Sequence, residues 1–339
     1  MRVAVIGGGG WGLALAKLLA ENSHQVLVWE HDPDFLRTLQ STSSNPLLLP
    51  GIVLPPAISY TGDFFALADF QPQLAVLATP SQFIRATLAK IPPAAAERIW
   101  DPGHLKAVVN VAKGIEETSL LTPGGILKQI LPARIHPRLC TLSGPSHAEE
   151  VAGQIPTTVV IAGPDDALLR ELQSVFSNPY FRAYRSSDLI GVEMGGAVKN
   201  VIAIAAGIVA GLGFGDNTMG ALLTRGLVEI QRLGEACGAD PDTFLGLSGV
   251  GDLITTAISP HSRNRRVGFA IGSGRKLKEI MAEMKMVAEG VATTRSVYNL
   301  AREKNVEMPI TEEVYATLYQ DKDPRQAILE LMTRELKAE

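Results

Sequence analysis

VAVIGGGGWGLALAKLLAEN, residues 3–22, decides the fold. Val3 to Ile6 is a short β-branched apolar run, the signature of a strand buried on both faces, and Trp11 to Asn22 carries the apolar spacing of a helix. Between them Gly7, Gly9 and Gly12 spell GxGxxG, placed directly after the strand and directly before the helix. That context separates a dinucleotide fingerprint from a chance run of glycines. Gly7 permits the tight turn, Gly9 lets the backbone approach a pyrophosphate, and Gly12 lets helix and strand pack closely. The unpaired N–H groups at the helix start then offer an anion site.

Working outward, Gln25 to Trp29 reads as a second strand and Pro33 to Gln40 as a second helix, completing a βαβ unit. Glu30 ends that second strand, 18 residues beyond Gly12, where a carboxylate would accept hydrogen bonds from the adenine ribose and repel a 2′-phosphate. His31 beside it would favour a 2′-phosphate when protonated, so the choice between NAD and NADP stays open here. Leu74 to Ala78, Ala107 to Val111, Leu139 to Leu142 and Thr157 to Ala162 are further strands, whose ends should bear ligand groups. Asn45 to Pro56, with Pro46, Pro50, Pro55 and Pro56, reads as an ordered surface loop without an assigned role.

The texture changes near Arg185 to Asp188. From there on the pattern is long helical runs rich in Ala, Gly, Leu and Met. The expectation is therefore an α/β chain: a Rossmann-type doubly wound sheet over residues 1–187, then an all-helical domain over 188–339. At 339 residues two domains are the ordinary outcome.

Composition removes several function classes. With 31 basic and 35 acidic residues the formal charge is −4, which gives no reason to expect nucleic acid or an anionic membrane as partner. Cys140 and Cys237 stand far apart with no CxxC or His-rich spacing, so neither a disulfide framework nor a zinc site is expected, and no residue is assigned to a metal. The start of the chain is too short and glycine-rich for the apolar core of a signal peptide, which points to the cytoplasm. Val201 to Gly213 is apolar but falls short of a membrane span; its Gly207 and Gly211, a GxxxG, suit close packing of buried helices.

The helical half holds the chemistry. Gly191, Gly195 and Lys199 recur at i, i+4 and i+8 on one helical face, and after Lys199 and Asn200 no charge follows until Asp216. An ammonium in such apolar surroundings has its pKa lowered by desolvation toward the range of a general base. Ser262, Arg263, Asn264, Arg265 and Arg266 place three guanidinium groups and two neutral donors in five residues, a set suited to phosphate oxygens. Gly249-Val-Gly-Asp252 ahead of it would bring a carboxylate near. Lys113-Gly114 and Ser143-Gly-Pro-Ser-His-Ala148 each close a strand of the sheet.

These motifs, in order along the chain, resemble the bacterial NAD(P)-dependent glycerol-3-phosphate dehydrogenase family, as do Val287-Ala-Glu-Gly290 and Met308-Pro-Ile-Thr-Glu-Glu313. The resemblance implies a Rossmann domain followed by a helical domain like that of 6-phosphogluconate dehydrogenases, a substrate held between them, a homodimer, and NAD or NADP as cofactor. It implies Lys199 as general acid/base, with Asp252 and Lys113 as further catalytic residues. Lys113, Gly144, Ser146, Lys199, Asp252, Ser262, Arg263 and Asn264 would contact the triose phosphate. Gly7, Gly9, Gly10, Trp11, Gly12, Glu30, His31, Lys113, Ala148, Arg263, Val287 and Glu289 would line the cofactor. Position 10 is often Ser in such enzymes; Gly10 leaves only its backbone N–H. Supply of glycerol 3-phosphate for phospholipid synthesis follows from the resemblance alone. Two rivals stand beside it: a dehydrogenase of unphosphorylated hydroxy acids, which would need one well-placed Arg rather than a cluster, and a non-catalytic dinucleotide sensor, for which Lys199, Asn200 and Asp252 together would be superfluous.

Overall fold

The computed structural model describes residues 1–284, 288–336 and 338; Val287, expected at the cofactor, lies outside the described residues. The chain divides into two compact units, one formed by Met1–Lys113 with Pro123–Glu193, the other by Gly114–Thr122 with Met194–Glu339.

The first unit is built on a single sheet of eight strands. They are β1 (Arg2–Ile6), β2 (Gln25–Trp29), β3 (Ile58–Thr61), β4 (Leu74–Leu77), β5 (Ala107–Asn110), β6 (Leu139–Ser143), β7 (Thr157–Ala162) and β8 (Phe181–Ser186), in the spatial order β3-β2-β1-β4-β5-β6-β7-β8. The order 3-2-1-4-5-6 with parallel pairing throughout is that of the doubly wound dinucleotide-binding sheet. The chain direction of the sheet's growth reverses between β1 and β4, and Gly7 sits at the end of β1 there. Central strands are closed to solvent: Val3, Val5, Leu74, Val76, Val108 and Val109 are all fully buried, as strands covered on both faces must be.

Two points of the sequence reading need correction. β7 runs antiparallel to β6, with Thr141 opposite Ala162, because the link between them holds only the five-residue helix Ala148–Ala152 and turns back. Its end at Ala162 therefore lies at the opposite edge of the sheet from the ends of β5 and β6, and it cannot present ligand groups beside them. β3 and β8 were not expected as strands. β3 is a four-residue edge strand with polar alternation, too short to announce itself, whereas β8 alternates buried Phe181 and Ala183 with exposed Arg182 and Tyr184. The Pro-rich segment is ordered by Leu49 and Leu54, both buried, by a bridge from Ser44 to Val53, and by Leu48 N donating to Asn45 Oδ1.

The second unit contains no strand among the described residues. Its axis is the 23-residue helix Leu189–Gly211, which begins well before the apolar stretch at Val201; its most apolar part is 89% buried inside the protein, which is how a core helix differs from a span. The helix Arg263–Gly272 lies against it backbone to backbone. A Cβ on Gly207 would stand 2.1 Å from Arg265 O, and one on Gly268 would stand 2.0 Å from Ile204 O. Gly211 and Gly272 close the same seam further along, so the GxxxG spacing is a packing device, as the sequence suggested.

A second anchor explains the Met308-Pro-Ile-Thr motif. Glu229, buried on the helix Asp216–Ala236, accepts from Ile310 N at 2.6 Å, Thr311 N at 3.1 Å and Thr311 Oγ1 at 3.0 Å. It thereby satisfies the amides at the start of the helix Pro309–Tyr319, which opens on a proline that has no N–H to offer.

Candidate functional site

At the end of β1 the glycines do what their spacing requires. Gly7 holds φ +117°, where an L side chain is strained, and a Cβ there would stand 2.9 Å from Ala78 C beyond β4. Gly12 is tighter still, since its Cβ would stand 2.0 Å from Gly7 O. Gly9 is different: a Cβ on it would meet nothing within 4 Å. Gly9 is the N-cap of the helix Gly10–Glu21 and no side chain bonds the helix's first amides. The cradle that a pyrophosphate needs, open space over unpaired N–H groups, is therefore present, and the residues fit a dinucleotide.

The surroundings of Gly10 give a reason for its identity. A Cβ there would stand 3.2 Å from Leu48 O of the Pro-rich loop and 3.9 Å from Ala148 Cβ. The loop thus leans on the fingerprint helix at Gly10, beside Ala148, a contact absent from the sequence reading. Glu30 is buried, accepting from Gly8 N at 3.0 Å and Asp32 N at 2.8 Å, while His31 is largely exposed with Nδ1 2.8 Å from Glu30 Oε1.

At the ends of β5 and β6 a second group assembles. Lys113 Nζ donates to Gly144 O at 2.9 Å, and Ser146 Oγ donates to the same oxygen at 2.9 Å. Gly144 has φ +130° and passes Val159 Cα too closely to carry a side chain with ease. Asn110, fully buried at the end of β5, fixes the turn to Lys113 by exchanging hydrogen bonds with the backbone N and O of Ala112. Lys113, Gly144, Ser146 and Ala148 thus belong to one edge of the first unit.

In the second unit Lys199 is 4% exposed, Asp252 2% and Thr256 4%. Lys199 Nζ lies 3.0 Å from Asp252 Oδ1 and donates to Thr256 Oγ1 at 2.5 Å, while Thr256 Oγ1 donates to Asp252 Oδ1 at 3.1 Å. A charge buried to this degree is tolerated only beside an opposite charge or well-placed hydrogen-bond partners, and here Asp252 and Thr256 supply both. The local sequence makes this arrangement. Gly195, one turn before Lys199, lets Ser248 O approach to 2.6 Å of where its Cβ would be, and the turn Leu247–Gly251 then delivers Asp252 to the lysine. Gly195 therefore clears room for the loop that carries the carboxylate.

Thr256 escaped the sequence reading, although it stands one helical turn after Asp252, a spacing that places the two on one face. Ser262 is buried as N-cap of the helix Arg263–Gly272, its Oγ accepting from Arg265 N at 3.2 Å. Asn264 Oδ1 accepts from Gly290 N at 3.0 Å, and Gly290 also approaches Asn200 O. Asn200, Asn264 and the start of the helix Glu289–Glu303, with Glu289 at its first position, are thereby brought together. Arg263 is half-buried in the first turn of its helix, and Arg266 is exposed. No cluster of His, Cys, Asp and Glu fit to hold a metal occurs among the described residues.

Fold and site define a nicotinamide-dependent dehydrogenase, with a buried lysine–carboxylate pair in its second unit. Residues 2–169 match the model of the NAD-dependent glycerol-3-phosphate dehydrogenase N-terminus and residues 188–329 that of its C-terminus. The glycerol-3-phosphate dehydrogenase [NAD(P)+] of Geobacter sp. (strain M21) is 49% identical over 338 residues, covering 100% of this chain and 98% of the relative. The crystal structure of glycerol-3-phosphate dehydrogenase from Coxiella burnetii superposes with a TM-score of 0.90 at 33% identity, covering 98% of this chain and 99% of that one. D-mandelate dehydrogenase shares the fold alone, with a TM-score of 0.65 at 11% identity. The chain belongs to the NAD-dependent glycerol-3-phosphate dehydrogenase family. Its reaction is the NAD(P)-dependent interconversion of glycerol 3-phosphate and dihydroxyacetone phosphate.

Proposed function

We propose that Lys199 is the general acid/base of this reaction, held by Asp252 and Thr256, and that residues 1–187 bind the cofactor while 188–339 bind the substrate and carry the proton chemistry. The nicotinamide supplies or accepts the hydride when bound. The chain's own part is to move the proton. In the reducing direction Lys199 as ammonium donates to the carbonyl oxygen, and in the oxidising direction neutral Lys199 removes the hydroxyl proton. Thr256 and Asp252 orient Nζ and balance its charge. The observation that carries this reading is the closed, mutually bonded trio Lys199, Asp252 and Thr256 in the second unit.

Gly7, Gly9, Gly10, Trp11 and Gly12 would hold the pyrophosphate, with Glu30, His31, Ala148 and Glu289 lining the rest of the dinucleotide. Lys113, Gly144, Ser146, Ser262, Arg263 and Asn264 would hold the triose phosphate, Arg263 by its planar fork. Ser262 does this with its Oγ already engaged as a cap, so its share of the binding is the positioning of Arg263. We place the enzyme in the cytoplasm as a homodimer that supplies glycerol 3-phosphate for phospholipid synthesis, on the strength of the family relationship and the composition.

The test follows the absorbance of reduced nicotinamide with dihydroxyacetone phosphate and with unphosphorylated dihydroxyacetone. Oxidation that requires the phosphate, a strongly raised KM in Arg263→Ala and lost turnover in Lys199→Met are expected. Near-normal turnover of Lys199→Met would move the proton chemistry elsewhere.

A further inference from the structure

Glu193 is the one carboxylate between Asp188 and Asp216, and it is 4% exposed near the start of the helix Leu189–Gly211. Both its oxygens accept from Gly124 N at 3.0 Å, on the helix Pro123–Ile130, whose proline has no N–H to offer. A Cβ on Gly124 would stand 2.8 Å from Oε2, so the glycine gives the carboxylate its place. Capping that amide alone would need only a neutral Ser or Asn. Burying a carboxylate for one amide is unfavourable beside that alternative.

Its second donor is Asn110, fully buried at the end of β5 and opposite Thr141 of β6. The amide nitrogen of Asn110 carries two hydrogens. One goes to Ala112 O at 2.9 Å; the other faces Thr141 Oγ1 at 3.3 Å and Glu193 Oε1 at 3.5 Å. Thr141 gives its own hydroxyl hydrogen to Asn110 O at 3.3 Å, so toward the amide it can only accept, as the carboxylate does. Two acceptors beside the amide thus decide which of its ends points where. Reversed, it would set Oδ1 against a carboxylate and withdraw the acceptor that Ala112 N reaches at 3.1 Å. Lys113 leaves the backbone one residue further on, and its Nζ donates to Gly144 O at 2.9 Å.

We propose that Glu193 is a positioning residue for the reaction: acting through Asn110, it sets the turn from which Lys113 reaches the substrate. The proposal rests on the reading of Lys113 as a contact to the triose phosphate and deepens it by naming what holds that lysine in place. A binding side chain is only as well placed as the buried groups that fix its backbone, and here those groups are one amide and the two acceptors that orient it.

The test is a double-mutant cycle on the full-length enzyme, read in the KM for dihydroxyacetone phosphate at saturating reduced nicotinamide nucleotide. Glu193→Gln keeps the shape but sets an N–H against either Gly124 N or Asn110 Nδ2. It should raise KM on the order of 10-fold with kcat changed less, and in a Lys113→Met background it should add almost nothing. An unchanged KM, or the same factor in both backgrounds, overturns the proposal, since Glu193 would then serve the fold alone. Asn110→Ala carries the same expectation should Glu193→Gln fail to fold by circular dichroism. If neither variant folds, the network serves the sheet and the proposal falls. An unaltered KM in Lys113→Met would instead sink the assignment of Lys113 to the substrate, and with it any lysine for Glu193 to position.

Discussion

Lys199 Nζ stands 3.0 Å from Asp252 Oδ1 with the two side chains 5% and 3% exposed, so each charge is the other's reason for being tolerated. Removing either partner leaves a buried charge without its complement, which costs about 3–5 kcal/mol. Lys199→Met and Asp252→Asn should therefore both lower the denaturation midpoint, while the double variant regains much of the loss. Activity should behave otherwise. Lys199→Met is expected to lose roughly 100- to 10,000-fold in kcat or more, and the double variant should stay as inactive as the single one. Urea denaturation beside the dehydrogenase assay separates the two effects, and strictly additive stability losses would show that the pair is not coupled.

Gly9 and Gly12 belong to one motif but answer to different constraints. A Cβ at Gly12 would fall 2.0 Å from Gly7 O, whereas one at Gly9 meets nothing in the protein. Gly12→Ala should therefore fold poorly. Gly9→Ala should melt within a degree or two of the parent yet bind nicotinamide nucleotides far more weakly, since the new methyl group occupies the space over the helix amides. Calorimetric melting and fluorescence titration of the same two variants decide it; a Gly9→Ala protein that binds normally would place the pyrophosphate elsewhere.

How much of this was legible follows from which forces are local. The fingerprint between β1 and its helix, the buried lysine face and the glycine seam were readable because each is a pattern within one element. The reversal of β7 was not, since strand direction depends on how a short link packs rather than on the strand's own residues. Thr256 was within reach by its spacing from Asp252, but a threonine in a helix carries no charge to draw notice. The contact of Leu48 with Gly10 joins segments far apart in sequence, and nothing in either segment announces the other.

The seam between the helices Leu189–Gly211 and Arg263–Gly272 ties residues proposed for the substrate site to packing. Gly268 faces Ile204 O so closely that a Cβ would sit 2.0 Å from it, and backbone cannot give way as a flexible side chain can. Gly268→Ala should push the helices apart and cost on the order of 1–3 kcal/mol as overpacking does. Because Asn264 begins the same helix, the shift should also raise the KM for dihydroxyacetone phosphate while leaving nucleotide affinity in the first unit nearly intact. A variant with unchanged stability and KM would mean the seam relaxes without moving Asn264.

Glu229 gives the fold a pH signature. Burial is the largest influence and pushes its carboxyl up from 4.5 to about 7, against the hydrogen bonds from Ile310 N, Thr311 N and Thr311 Oγ1. Between those two values the folded protein binds the proton more readily than the unfolded chain does. Its stabilising share is thus full below about pH 4.5 and is lost as pH rises through about 7, by up to roughly 3 kcal/mol. Glu229→Gln cannot titrate there, and it presents an amide where Thr311 N also donates. The unmodified protein should therefore exceed the variant in Tm at pH 5 by a margin that shrinks steadily toward pH 8. Taking the difference between the two proteins cancels the titration of all other groups. A margin that is flat or widens with pH would mean Glu229 is ionised in the folded state across this range, held by its three donors rather than protonated by its burial.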